Sequence, residues 1–167
     1  MATSCLSNYR MGIMQFRIAA RADVPAILSM LADDEISRSR GFGAAVSEEA
    51  DAAIWAAFDQ IDADPANELI VGDDEGEIVA TCQITVTPGL SRGGMKRLTI
   101  EAVRVRADRR GSGLGRAMMA YAVQRAREHG AGLVQLTTDK RRTDAKRFYE
   151  SLGFTASHEG MKLTLGG

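Results

Sequence analysis

The stretch from Ile100 to His129 constrains this chain more than any other. It opens Ile100-Glu101-Ala102-Val103-Arg104-Val105-Arg106, an alternating β-branched run that reads as a strand. A turn follows from Ala107 to Arg116 and holds Gly111, Gly113 and Gly115. Helix formers then run from Ala117 to His129, and Gly130 stands where a C-cap glycine belongs. Strand, glycine-rich turn and helix in that order bring several backbone N–H groups to the start of a helix. Unpaired N–H groups and the positive end of the helix dipole make such a point an anion site. Arg109, Arg110 and Arg116 flank it, so a phosphate, and more specifically a pyrophosphate, is the expected guest.

Two common phosphate loops are excluded. No Gly-x-x-x-x-Gly-Lys-Ser/Thr run exists, and the dinucleotide pattern Gly-x-Gly-x-x-Gly fails because Met118 stands where its last glycine should be. Length and composition bound the rest. A chain of 167 residues with 45% hydrophobic and 26% charged residues can bury a full core, which predicts one soluble globular domain over 16–167. Residues 1–15 read as a poorly ordered extension without a secretory or organellar signal, and Met11 or Met14 are alternative starts. No apolar run reaches the roughly 20 residues of a membrane span. Cys5 and Cys82 lack metal-ligand spacing, and Cys82 falls in a predicted strand, where a buried thiol in a reducing cytoplasm is expected.

The net charge of −1 hides a division. Residues 1–90 hold 15 acidic and 5 basic side chains, whereas residues 91–167 hold 7 and 16. Either the protein takes two ligands of opposite charge, a polyanion and a cation, or the two halves neutralise each other.

Along the chain, Phe16–Ala20 reads as a strand. Asp23 is a candidate N-cap, with Pro25 in the first helical turn and Val24, Ile27, Leu28 and Leu31 on one apolar face. After Asp33-Asp34-Glu35 and a connection containing Gly41-Phe42-Gly43, a second helix starts near Ser47 and buries Ile54, Trp55, Phe58 and Ile61. The period then changes to two. Leu69–Gly72 and Ile78–Val86 form a hairpin about Asp73–Gly76. Beyond the central helix, Leu133–Thr138 is a strand reached by a crossover and therefore parallel to the Ile100 strand. A helix over Arg142–Leu152 closes at Gly153, and Phe154–Ala156 with Met161–Leu165 read as a terminal pair of strands.

Two motifs in this order resemble the GNAT superfamily of acetyl-CoA-dependent N-acetyltransferases. Arg110, Gly113 and Gly115 match its motif A, Gln/Arg-x-x-Gly-x-Gly/Ala. Ala145-Lys146-Arg147-Phe148-Tyr149-Glu150-Ser151-Leu152-Gly153-Phe154 matches its motif B, Ala-x-x-x-Tyr-x-x-x-Gly-Phe. The resemblance covers Phe16 to Leu165. It implies an α/β GNAT fold: a mixed sheet of about six to seven strands with a splayed parallel pair, flanked by about four helices. One departure stands out, since Arg142 occupies the position where most relatives carry an Asn that contacts the pantetheine arm.

The resemblance also implies a chemistry: acetyl transfer from acetyl-CoA to a primary amine, on a small molecule or a peptide, in a ternary complex and without a metal. Gly111, Ser112, Gly113, Gly115, Arg110 and Arg116 would hold the pyrophosphate, and Arg142 a CoA phosphate or the arm. The backbones of Val103 and Val105 would pair with pantetheine, and the N–H near Val103 would polarise the thioester carbonyl. Tyr149 would protonate the leaving thiolate; the alternative is a core tyrosine. Glu101 reads as sharing a face with Val103 and Val105, from which its carboxylate would deprotonate the incoming ammonium or only position it. Asp33, Asp34 and Glu35 are candidate acceptor contacts on the wall formed by the first two helices. His129 and His158 read as structural or solvated, with His158 an outside candidate for the acceptor pocket. Family members are often dimers, so a homodimer is expected. Two other functions fit parts of the pattern. One is a non-catalytic acyl-CoA sensor. The other is a nucleic-acid-binding regulator using Arg104, Arg106, Arg109, Arg110 and Arg116; the net charge and the lack of a helix-turn-helix pattern argue against it, and no nucleic-acid or membrane partner is expected.

Overall fold

The computed structural model describes residues 10–11, 14–33 and 52–165. Among the described residues, six strands form one sheet in chain order: β1 (Arg10–Met11), β2 (Met14–Ile18), β3 (Asn67–Asp74), β4 (Glu77–Thr87), β5 (Lys96–Val105) and β6 (Ala131–Leu136). Every neighbouring pair is antiparallel except β5 and β6, which run parallel across a helical crossover. The helices are α1 (Val24–Ala32), α2 (Ala52–Ala63), α3 (Leu114–Glu128) and α4 (Thr143–Glu150), with a short helical turn at Ser91–Gly94. The sheet begins earlier than the sequence suggests, because β1 and the start of β2 lie within residues 1–15.

The larger core lies between the sheet and α3. Phe16, Ile70, Ala80, Cys82, Ile84, Leu98 and Ile100 on the strands meet Met118, Met119, Tyr121 and Ala122 on the helix. On the opposite face Ala19, Ile27 and Val71 form a smaller cluster beneath α1. The β3–β4 hairpin closes through Glu75-Gly76, both at positive φ (53° and 90°), and Asp73 accepts the Gly76 N–H at 2.7 Å. A two-residue turn of that hand matches the twist of the strands it joins.

Three expectations need correction. Asp23 does not cap α1 through its side chain: its carboxylate accepts the Ala20 N–H at 2.7 Å and a two-pronged bond from Arg17, at 2.6 and 3.0 Å. In the second helix only Phe58 is fully buried; Trp55 is half-buried, with the Arg21 guanidinium 4.4 Å above its ring. The terminal strands at Phe154–Ala156 and Met161–Leu165 do not form. Phe154 is used as a helix cap, and the chain beyond it passes the end of β6 without entering a ladder. The proposed Ser47 cap, and Asp34 and Glu35, lie outside the described residues.

The charge division resolves in part by mutual neutralisation. Asp33, Glu68, Asp74 and Glu77 from the acidic half pair with Arg110, Arg125, Arg109 and Arg106 from the basic half. Only Glu68 is buried. Burial alone would raise its pKa, but hydrogen bonds from Arg125 and His129 outweigh that, and the net direction is downward. Arg125 Nε donates to Glu68 at 2.8 Å, and His129 Nε2 lies 2.7 Å from the same carboxylate. His129 is therefore structural, as expected.

Because the folded pKa of Glu68 is depressed, its contribution is complete above the ordinary carboxylate value and is lost as pH falls through the folded one. Glu68→Gln leaves Arg125 without its buried partner and should cost about 3 kcal/mol at neutral pH. Urea titrations should show this gap narrowing below the pH at which wild-type Glu68 protonates; a gap independent of pH would contradict the assignment.

Candidate functional site

The site grows from a fault in β5. Gln83 pairs with Glu101 and Thr81 with Arg104, so Cys82 alone stands opposite both Ala102 and Val103. This is a β-bulge, and Ala102 takes its extra turn at φ 53°, a left-handed conformation uncommon outside glycine. The inserted residue reverses the alternation. Leu98 and Ile100 face the α3 core, and after the bulge Val103 and Val105 face it too. Glu101 therefore does not share a face with Val103 and Val105. Its register partner Gln83 and Arg104's partner Thr81 put Glu101 and Arg104 together on the other face, the side on which α1 packs over Val71.

The bulge also ends a ladder. β5 pairs with β6 from Lys96 to Ile100 and no further, so Glu101–Val105 diverges from its parallel neighbour. The opening has a backbone edge on one side. Two of its carbonyls already have partners: Arg104 Nη1 donates to Val103 at 2.9 Å, and Arg110 Nε donates to Val105 at 3.2 Å.

At the end of β5 the glycine turn forms as expected. Gly111 and Gly113 have φ of 77° and 87°, and Gly113 is the N-cap of α3. Its carbonyl accepts the Ala117 N–H at 3.1 Å, which leaves the N–H groups of Leu114, Gly115 and Arg116 in the unpaired first turn. α3 thus begins three residues earlier than its pattern suggests, and the turn's last glycine lies inside the helix. Gly115 serves packing, because an added Cβ would sit 3.4 Å from Phe148 and 3.7 Å from Val105. Ser112 Oγ donates to the Arg109 carbonyl and braces the turn. Arg110 reaches Asp33 at 3.3 Å, and Arg116 donates to Ser151 at 3.1 Å. Both arginines lie in solvent-facing contacts that an anion can displace at little cost.

α4 carries the second motif, and its end explains the spacing. Gly153, at φ 91°, donates to the Glu150 carbonyl at 3.0 Å, and Phe154 donates to the Tyr149 carbonyl at 3.1 Å. This is a Schellman cap, in which the residue after the glycine packs on the first acceptor. Phe154 and Tyr149 do so edge-to-face, 6.1 Å between centroids. Tyr149, Gly153 and Phe154 are thus one device that fixes the tyrosine ring against the core. Burial raises the Tyr149 pKa above its ordinary value, while the positive charges of Arg104 and Arg142 work against the rise. The hydroxyl is a protonated donor at neutral pH. Arg142 is the N-cap residue of α4, whereas its neighbours Arg141 and Lys140 pair with Asp139 and Glu159. The sequence marks Arg104 only as part of a basic patch and gives no sign that it stands beside Glu101. The signal for that placement is the parity change from Leu98 and Ile100 to Val103 and Val105.

Three other groups sit away from this arrangement. Cys82 is fully buried against Met118, with Sγ 3.4 Å from the thioether sulfur, and burial pushes its thiol up to about 12. His158 is exposed and bonds Ser157. Among the described residues, no group of three or more His, Cys, Asp or Glu side chains could hold a metal ion, and no helix is long and apolar enough to cross a membrane.

A bulged strand diverging from a parallel neighbour, a glycine turn opening a helix, and a capped tyrosine helix occur here in one unit. The model of the acetyltransferase (GNAT) family matches residues 24–154. This chain belongs to the GNAT family. Among curated relatives, it is 34% identical over 90 residues to glucosamine 6-phosphate N-acetyltransferase of Trypanosoma brucei brucei, covering 54% of this chain and 59% of that one. It is 33% identical over 93 residues to streptothricin acetyltransferase of Streptomyces lavendulae, covering 56% and 46%. The chain spans about half the length of these curated relatives. Solved structures match more completely. A Bacillus halodurans C-125 protein named as a transcriptional regulator is 44% identical, with a TM-score of 0.84 over 91% of this chain and 99% of that one. A Trypanosoma brucei acetyltransferase is 25% identical, with a TM-score of 0.71 over 91% and 99%.

The burial of Cys82 carries a direct expectation. Iodoacetamide at neutral pH should leave Cys82 unmodified in the folded protein and alkylate it in urea, as read by peptide mass spectrometry. Rapid labelling of the native protein would contradict the closed packing around Met118 and reopen a covalent thiol route.

Proposed function

We propose that this protein is an N-acetyltransferase that moves an acetyl group from acetyl-CoA to a primary amine by direct transfer in a ternary complex. The observations that carry the reading are two: a parallel pair that opens at Ile100, and a half-buried tyrosine that a helix cap fixes against the same core.

In this reading the N–H groups of Leu114, Gly115 and Arg116 hold the pyrophosphate. Gly111, Ser112 and Gly113 shape the turn, and Arg110 and Arg116 exchange Asp33 and Ser151 for phosphate oxygens. The backbone of Val103 and Val105 lines the pantetheine arm, and the Val103 N–H points partial positive charge at the thioester oxygen. Glu101 lies on the α1 face, so the amine approaches from that side and Glu101 takes its proton, directly or through one water. The amine nitrogen then bonds to the carbonyl carbon and the carbon–sulfur bond breaks. Tyr149 gives its proton to the departing thiolate and regains one from solvent. Arg142, the N-cap residue of α4, holds a CoA phosphate or the pantetheine arm. Direct transfer is favoured over an acetyl-enzyme because Cys82 is closed and protonated.

The acceptor is a small-molecule amine. The curated relatives are named for glucosamine 6-phosphate, streptothricin and aminoalkylphosphonate, all amine-bearing compounds. Asp34 and Glu35 remain candidate acceptor contacts beyond Asp33. The protein works as a homodimer, and its free buried thiol suits the cytoplasm. A second reading, a non-catalytic acyl-CoA-binding regulator, has one observation behind it: the Bacillus halodurans protein is named as a transcriptional regulator. A nucleic-acid surface is less favoured, because Arg106, Arg109 and Arg110 already face carboxylates.

An amine panel incubated with acetyl-CoA and read by thiol release separates the readings: the enzyme turns over with at least one amine, and the sensor binds without turnover. With the amine so found, Tyr149→Phe should lower kcat by about 10²–10⁴-fold while KM for acetyl-CoA hardly moves. Because burial keeps the Tyr149 pKa above its ordinary value of 10, the acid should stay competent through pH 9. Wild-type turnover in the Phe variant would remove Tyr149 from the chemistry.

A further inference from the structure

The face of the sheet away from α3 has two parts. Under α1 it is apolar: Ala19, Ile27 and Val71 are buried there, with Leu31, Leu69 and Ile78 packed against them. Further along the strands it turns polar. Asn67, Thr85, Thr99 and Gln135 are successive register partners on β3, β4, β5 and β6, so four strands in turn put an amide or a hydroxyl into one row. Gln83 and Glu101 pair in the adjoining row, beside Leu69. Thr99 and Glu101 are thus two residues apart on one face of β5, about 7 Å along the strand.

The row is ordered from within. Asn67 Nδ2 donates to Asp64 at 2.7 Å, the Thr85 hydroxyl donates to Asn67 Oδ1 at 2.7 Å, and Gln135 Nε2 donates to the Thr99 hydroxyl at 3.0 Å. Gln83 Nε2 reaches the same Asn67 oxygen at 3.5 Å. These bonds fix the side chains and leave three groups without a partner among the described residues: the Thr99 O–H and the side-chain carbonyls of Gln83 and Gln135. The Glu101 carboxylate also enters no ion pair among the described residues. Asn67, Gln83, Thr85 and Thr99 are half-buried on inner strands, where a hydrogen bond gains more than it does in open water.

The chemistry of these groups selects a ligand. Glu101 suits an ammonium, but the row beside it is neutral, and the next residue along that face of β5 is Arg97, which repels a second cation. An alkyl tail laid on the row would cover amides and a hydroxyl without satisfying them. Hydroxyl groups both donate and accept, as the row requires. Neighbouring strands lie about 4.8 Å apart, so Gln83, Thr99 and Gln135 are spaced for the substituents of one six-membered ring.

We propose that this row binds hydroxyl groups of the acceptor, and that the amine this protein acetylates is an amino-polyol of the amino-sugar class. With its nitrogen at Glu101, the ring lies over Thr99 and accepts the Thr99 O–H. Its hydroxyls donate to Gln83 on one side and Gln135 on the other. The proposal rests on the acetyltransferase reading given above and narrows its acceptor.

The test compares amines with acetyl-CoA, read by thiol release. Glucosamine should exceed cyclohexylamine, a ring of the same size without hydroxyls, by about 10²-fold in kcat/KM, and diaminobutane by at least as much. Thr99→Val keeps the β-branched shape and removes the hydroxyl. It should shrink the glucosamine-to-cyclohexylamine ratio by about tenfold, chiefly through KM, and Thr99→Ser should restore it. Saturation-transfer NMR should show glucosamine ring hydrogens in contact with the wild type and not with Thr99→Val. If cyclohexylamine or diaminobutane matches glucosamine, or a folded Thr99→Val protein keeps the full ratio, the proposal is overturned and the acetyltransferase reading stands. Glucosamine binding that depends on Thr99, with no thiol release from any amine, would support the row and overturn the acetyltransferase reading. Neither binding nor turnover would overturn both.

Discussion

The structure depends on one backbone irregularity. Two residues of β5, Ala102 and Val103, stand against the single residue Cys82 of β4, and the strand bends where they do so. A regular β5 would have continued its ladder with β6 past Ile100 and left no opening in the sheet. Because a bulged strand turns away from its neighbour, the five residues after Ile100 keep one edge unpaired by strand. The cost is local: a left-handed alanine, of order 1 kcal/mol, held in place by the ladder with β4.

Everything else in the site is arranged around that opening by ordinary devices. The glycines give the chain its left-handed steps at Gly111 and Gly113 and let α3 start with free N–H groups. Gly115 does something different, letting α3 approach Phe148 so that α4 can lie beside β5. The Schellman cap then fixes Tyr149 from the far side, using Phe154 as its hydrophobic plug. On the opposite face of the sheet, Arg17 ties Asp23 and Asp73 together at the base of α1, with Nε 2.9 Å from Asp73. Burial is therefore spent on positioning: a tyrosine that stays protonated, and a cysteine that stays silent.

Much of this was legible in the sequence, and the failures have physical causes. The glycine turn, the crossover and the capped helix have local signatures, and all three formed close to their expected places. The charge division was legible but ambiguous, because sequence cannot tell which carboxylates meet which arginines; folding brought Glu77, Asp74 and Asp33 to the arginines around the turn. The face of Glu101 was not legible because strict alternation does not hold across the bulge at Ala102. The terminal strands were not legible because alternation reports only that a segment has an apolar face, and among the described residues Met161–Leu165 joins no strand.

The most direct measurement is a calorimetric titration with acetyl-CoA of the wild type and of a variant lacking Ala102. Removing that residue restores regular pairing between β4 and β5, with Thr81, Cys82 and Gln83 each opposite one partner. The account predicts measurable binding to the wild type and none to the deletion, in a protein whose melting remains cooperative. Equal affinity in the two proteins would show that the bulge does not make the site, and would contradict the account at its base.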